Sequence, residues 1–277
     1  MANAWNCILG TPIYSDAFGP TYSPVLSAGS WLAALPLANL QARELIKVAR
    51  STDALAASTK FDCDLGVARA VRVLALVEHN FSSAATVRFR GYSDAGYTTL
   101  VYDSGTFNAW PAGMTAENYD GYVKTAMHVA TADQTARYWR TEITDTGNPA
   151  GYVQVGRVVI AGGYQATINM QYGARLGWET ETQRKVTDGG AAIYDRRRGR
   201  RHVTFTLGEL LEDEALANLF ELQRREGLHG QLLFVYDPED TTHAHRRRFL
   251  AVQRELSPLE RASFGRDTMP VALVEEL

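Results

Sequence analysis

His243-Ala-His245 has the spacing of a metal-ligand pair, because alternate residues of a strand share a face and two imidazoles there converge. The pair lies in a polar run beside Asp240, Thr241 and Thr242, with three arginines following, and no third ligand is placed by the sequence; it reads as a solvated loop. A nucleophile, base and acid set would need a Ser or Cys held near a histidine and a carboxylate. His79, His128, His202 and His229 are scattered, and neither GxSxG nor HExxH occurs. His79, beside Asn80, is expected to cap a strand-to-loop turn. The chain is therefore read as non-enzymatic and without a cofactor.

Two further groups could bind. In Asp195-Arg-Arg-Arg-Gly-Arg-Arg201 five guanidinium groups, Arg196, Arg197, Arg198, Arg200 and Arg201, crowd into six positions and exceed what local carboxylates neutralise. A nucleic-acid surface would interleave such charges with aromatics along a strand, and that alternation is missing. The run is read instead as an interface arm or solvated loop, since Arg suits bidentate pairing across interfaces. Glu212, Asp213 and Glu214 offer the opposite patch. Trp31, Trp110, Tyr119 and Tyr122 lie in loop-like sequence and are candidates for stacking on the apolar face of a sugar. Trp139 and Phe89 fall in strands and belong to a core.

A chain of 277 residues, 45% hydrophobic and 21% charged, has the composition of a globular protein with room for two cores. Its net charge of −3 gives no overall attraction to nucleic acid or an anionic membrane. Cys7 and Cys63 lack CxxC spacing and are expected to be small buried hydrophobes rather than a disulfide or zinc site. The first ten residues lack the basic and apolar regions of a secretory signal, and no window reaches 18 uncharged apolar residues. Synthesis in a cytoplasm, without membrane insertion, is expected.

These groups need elements to hold them. Turn formers at Gly19-Pro20, Ser23-Pro24 and Gly29-Ser30 fill the first 60 residues, with a helix expected over 37–48. From Phe61 the pattern has period two. Val71, Val73, Ala75 and Val77 are expected on one face, with Leu74 and Leu76 making the strand apolar on both; Val87, Phe89 and Gly91 alternate with Arg88, Arg90 and Tyr92. Further strands are expected over 138–143 and 152–160, around a turn at Asp145-Thr-Gly-Asn-Pro149 and stopped by Gly162-Gly163, which is taken as a domain boundary. Beyond it, Thr206 and Glu209 form a capping box for a helix whose stripe is Leu207, Leu210, Leu211, Ala215, Leu219 and Leu222, ended by Gly227. Strands are expected at 201–207, 232–236, 249–256 and 269–274. The fold class is mainly β: a jelly-roll sandwich at 1–163, then a barrel-like α+β domain with one helix at 164–277.

The stretches Phe61-Asp-Cys-Asp-Leu-Gly66, Val71-Arg-Val-Leu-Ala-Leu-Val77, His79-Asn80, Arg137-Tyr-Trp-Arg140 and Gly151-Tyr-Val-Gln-Val-Gly-Arg157 resemble the galactose-binding-like, discoidin-type jelly roll, in the version found in tail-tip proteins of long-tailed bacteriophages. The segment Leu35-Pro-Leu-Ala-Asn-Leu40 with Ala49-Arg-Ser51 fits the lead-in to such modules, and the resemblance spans about 30–163. The second part, through Val203-Thr-Phe-Thr206 and Phe234-Val-Tyr-Asp-Pro238, is similar to the barrel of distal tail and minor tail proteins, although here the module precedes the barrel. The resemblance implies a virion component made in a bacterial cytoplasm. It would be a homo-oligomeric ring, three- or sixfold, at the end of the tail tube, contacting the tube and other tail-tip proteins and presenting the sandwich to fibre or host. The alternative is an adsorption protein that recognises a host surface polysaccharide.

Overall fold

The computed structural model describes residues 6–13 and 24–277. The expected turns at Gly19-Pro20 and Ser23, and residues 1–5 of the N-terminus, lie outside the described residues. Along the chain the strands are β1 (Ile8–Pro12), β2 (Val25–Ser27), β3 (Ala49–Arg50), β4 (Phe61–His79), β5 (Thr86–Tyr92), β6 (Leu100–Asp103), β7 (Phe107–Asn108), β8 (Thr125–Thr144) and β9 (Gln154–Gln165). They continue with β10 (Arg175–Glu179), β11 (Gln183–Val186), β12 (Ala192–Asp195), β13 (Arg200–Leu211), β14 (Gln231–Val235), β15 (Arg248–Gln253), β16 (Glu260–Ser263) and β17 (Arg266–Glu275). The protein is mainly β, and every strand except β11 and β12 belongs to one antiparallel sheet.

The two longest strands make the first half a sandwich of jelly-roll type. The end of β4 from Val73 to His79 pairs with β9 and with the start of β8, whereas its beginning pairs with β2 and the far part of β8, on which β5 lies. Both strands thus pass from one layer to the other, and register shifts between Asp64 and Arg69 and between Val71 and Val73 mark the corner. At the first shift Gly66 takes φ +76° and its N–H donates to Asp64 Oδ1 at 2.8 Å, so Asp64-Leu65-Gly66 forms a bulge that bends the strand without ending it. Val71, just before the second shift, lies in the sandwich core with Leu74 and Leu76, while Val73, Ala75 and Val77, past it, face the other way. A bulge reverses the parity that the sequence pattern assumed.

The sandwich interior gathers Phe61, Cys63, Val87, Phe89, Trp139 and Ile143 from one layer against Leu74, Leu76, Val158 and Ile160 from the other. Arg88 and Arg90 point outward and pair with Asp103 and Glu142. The opposite face of β4 and β9 is equally dry, because Val73, Ala75, Val77, Val159 and Ala161 pack with Ile8, Leu233, Val235 and Leu250. That third cluster joins the halves of the molecule and explains why β4 is apolar on both sides.

In the second half β13, β17, β15 and β14 form the sheet, and β1 completes it by lying between β14 and β9. A helical run over 212–226, with a π segment at Ala215–Phe220, sets Ala215, Leu219 and Leu222 on this sheet over Phe205, Phe234 and Phe249. Gly227, at φ +52°, ends it as expected. The capping box is not formed: Thr206 pairs with Pro270 inside β13, and the helix starts only at Glu212. Gly162 and Gly163 sit within β9 opposite Thr11 and Gly10 and do not stop the strand. The helix expected over 37–48 shortens to a 3-10 turn at Leu37–Gln41. Cys7 and Cys63 are buried free thiols in separate clusters. Among the described residues no helix is long and apolar enough to cross a membrane.

Candidate ligand-binding groove

The aromatic candidates do not form a sugar platform. Tyr119 is buried, its ring edge-on to Trp110 at 5.1 Å and its hydroxyl accepting from Thr125 N–H at 3.1 Å; burial pushes its phenol up to about 12. Trp110 is half-buried, with its indole N–H donated to the Phe81 carbonyl at 2.8 Å. Trp31 is half-buried too, edge-on to Phe61 at 6.0 Å against the sandwich core. The expectation of exposed, loop-borne rings is thus corrected: local sequence shows a loop, but these rings close the core beneath it. Trp110 and Tyr119 line a small cavity beside His245 and Arg248, whereas Tyr122 reaches the wall of a wider groove, half-buried and edge-on to Trp178 and His245.

The arginine run is likewise dispersed. Arg201 is 2% exposed and locked to Glu275, its Nε donating to Oε2 at 2.9 Å and its Nη1 to the His245 carbonyl at 2.5 Å. It is structural and cannot reach a neighbouring subunit. Arg200 pairs with Glu181, Arg197 with Asp195, and Arg198 with Glu78, whereas Arg196 stays exposed. The proposed acidic partners divide in the same way. Glu214 accepts from the Tyr164 hydroxyl and the Thr167 N–H, Glu212 pairs with Arg261, and Asp213 is exposed.

His79 does what its position suggested: its Nδ1 accepts from Phe81 N–H at 3.2 Å while the rings stack at 4.1 Å. Burial, aided by the Lys124 charge, lowers its pKa to about 3. His243 and His245 lie at the start of a helical turn, His245 half-buried against Tyr122, and among the described residues no three His, Cys, Asp or Glu side chains gather as a metal cluster.

What the fold does assemble is a polar groove of about 550 Å³ at one end of the sandwich, where β4 ends, β8 and β9 begin and the chain approaches β13. Its wall carries Glu78, Asn80, Asp120, Tyr122, Lys124 and Arg198. Arg198 Nη2 donates to the Tyr122 carbonyl at 2.7 Å and tethers the arginine run to this rim. Asn80 is fixed by Gln154 N–H donating to its Oδ1 at 2.7 Å and by its own Nδ2 donating to the Tyr152 carbonyl. Lys124 Nζ lies 5.2 Å from the Trp110 ring and 5.7 Å from Tyr119.

Two features set the groove apart. Glu78 is held at φ +53°, a left-handed backbone costly for a residue with a Cβ, and its Oε2 is buried without a hydrogen-bond partner among the described residues. Asp120 is exposed on the rim with no ion pair among the described residues. A second groove, between the helical run and the sandwich, is lined by Glu221 and Arg225, which pair with each other, and by Tyr164, whose hydroxyl donates to Glu214 outside it. Tyr122 and Arg198 were legible as candidates. Glu78, Asp120 and Lys124 were not, although a glutamate closing an apolar strand just before His79-Asn80 was the available signal.

No protein-family model matches the sequence, and no curated protein matches it. Among solved structures, about half of the chain is similar to carbohydrate-binding domains. One is the family 32 module of Clostridium perfringens NanJ in complex with galactose, 16% identical over 55% of this chain and 99% of that one, TM-score 0.40. A second is the family 32 module of AlyQ in complex with 4,5-unsaturated mannuronic acid, 22% identical over 49% and 92%, TM-score 0.35. A third is a mutant of the lectin binding domain of lectinolysin complexed with Lewis b, 14% identical over 54% and 98%, TM-score 0.37.

Proposed function

We propose that this chain is a non-catalytic carbohydrate-binding protein that recognises a cell-surface polysaccharide through the groove at Glu78, Asp120, Tyr122 and Lys124. The observation behind this reading is the groove's chemistry. Sugar hydroxyls both donate and accept, and a wall carrying carboxylates, an ammonium group, a guanidinium and a half-exposed phenol answers both needs. Glu78 lines the groove in a strained backbone conformation, and its buried Oε2 has no hydrogen-bond partner among the described residues.

The test is a glycan array with the full chain, followed by titration of the strongest binder. Asp120→Ala and Lys124→Ala should each weaken binding at least about tenfold, one lost charged hydrogen bond being enough for that, without moving the melting temperature. Absence of binding to any surface polysaccharide, or binding indifferent to both substitutions, would refute it.

A second reading makes the chain a structural ring component of a bacteriophage tail tip that presents the sandwich to fibre or host. It is supported by one observation: β11 and β12 form an isolated hairpin whose residues are all exposed, a shape suited to contacting another subunit. Absence of the protein from purified virions would sink this reading and leave the first standing.

A further inference from the structure

The hairpin spends apolar surface on solvent. Val186, Ile193 and Tyr194 are 57%, 59% and 61% exposed, and among the described residues no third strand pairs with the hairpin. A lone two-stranded hairpin is marginal in water, so such side chains call for cover. Register places Tyr194 opposite Arg184 and Val186 opposite Ala192, which gives one face an apolar centre beside a cation. Arg184, Lys185 and Arg196 have no ion-pair partner among the described residues.

A surface of opposite charge lies elsewhere on the same chain. On the outer side of the π segment Leu216 and Phe220 are 43% and 51% exposed, four residues apart, while Ala215 and Leu219, also four apart, face the core. Leu211 extends the patch, and Glu209 and Asp213, both exposed, border it with no ion-pair partner among the described residues. Glu209 stands at φ +56° in a register shift of β13 between Leu207 and Leu210, so backbone strain is kept where the acidic rim turns outward.

Within one molecule the two surfaces cannot meet. The hairpin leaves the chain just before Arg200 and the helical run starts after Leu211, so the full length of β13, roughly 35 Å at the usual rise per residue, separates them. Strands of four residues plus their turn reach only about 15–20 Å. We propose that the hairpin of one copy docks on the outer face of the 212–226 helical run of a second copy, Tyr194 and Val186 covering Leu216 and Phe220, and Arg184 and Arg196 meeting Glu209 and Asp213. The contact is heterologous, each copy giving its hairpin to one neighbour and its helix to another; repetition closes a ring if the rotation permits and extends a filament if it does not. This rests on the self-assembling reading and is independent of glycan recognition.

The test uses the full chain in sedimentation velocity over a range of concentrations, together with pairwise cross-linking. Tyr194→Asp and Phe220→Asp, each at an exposed position, should weaken association at least about tenfold, as loss of an interface aromatic does, with unchanged melting. When Tyr194→Cys and differently tagged Phe220→Cys proteins are mixed under mild oxidation, a disulfide should link the two tags, since Cys7 and Cys63 are buried. Association that persists unaltered in both Asp variants, with no mixed disulfide, would overturn the hairpin interface and leave self-assembly intact. A chain that stays monomeric at every concentration would overturn both.

Discussion

Removing either member of the Arg201–Glu275 pair should destabilise the fold far more than removing both. Arg201 and Glu275 are 2% and 1% exposed, and the carboxylate also accepts the Arg201 backbone N–H at 3.0 Å. The guanidinium carbon lies 4.7 Å from the Phe249 ring and 5.3 Å from Tyr122, so no water reaches the charge if its partner is lost. In Glu275→Leu the cation would be stranded in a dry site, at a cost of about 3–5 kcal/mol. At about 2–4 °C per kcal/mol for a chain of this size, the melting temperature falls by roughly 6–20 °C. The double variant Arg201→Met with Glu275→Leu fills the site with apolar volume and should regain most of the loss, because replacing a buried pair whole is often neutral or better. Urea denaturation and thermal melting of the four proteins complete the cycle, and the effect should be the same at every protein concentration because the pair lies within one chain. A single-variant cost below about 1 kcal/mol, or a double variant as unstable as the sum of the singles, would refute the argument.

Three further outcomes are expected. His79 has a pKa of about 3 in the folded protein against 6.5 unfolded, so below pH 6.5 the unfolded chain binds the proton that the native state refuses; stability contributed by neutral His79 is full above pH 6.5 and drains as pH falls toward 3. The slope of stability against pH between 4.5 and 6.5 should flatten in His79→Gln by up to about 1.4 kcal/mol per pH unit; an unchanged slope would show that His79 protonates in place. Gly29→Ala should cost more than about 2 kcal/mol, since Gly29 sits at φ +73° and a Cβ there would lie 2.2 Å from the Lys60 carbonyl oxygen and 2.6 Å from the Trp31 indole nitrogen; a melting temperature equal to that of the parent would contradict the crowding. Burial raises the Cys7 thiol to about 12 and pushes Cys63 up as well, so a thiol reagent should label neither until the chain unfolds, and fast labelling of the native protein would show an opening that the fold does not contain.

The strands were legible because their alternation is local. Val87, Phe89 and their arginine neighbours announce a half-buried strand, and so do Val203 and Phe205. The helix start was misplaced because Thr206 and Glu209 match a capping box by residue type while pairing with β17 decides the backbone there; a left-handed Glu209 and a bulge end the strand instead. The parity of Val71 was misjudged because a bulge leaves no trace in a period-two pattern. Arg201 looked like its four neighbours, and only its tertiary partner, 74 residues on at Glu275, separates it from them. The groove was half legible for the same reason. Its residues come from the ends of separate strands, and burial turned Tyr119 inward while leaving Tyr122 on the wall.

β1 carries a consequence for how the chain comes into being. Ile8 pairs with both Gln165 and Val235, and Leu9 and Cys7 belong to the second-half core. A ribosome makes this strand long before its last partner, β14, emerges. Until then Ile8-Leu9-Gly10 must wait beside β9 with one edge open, an invitation to pair with a neighbouring nascent chain. Closing so distant a contact late makes for slow maturation, and a fragment beginning at residue 164 would be born without the strand that seals its sheet.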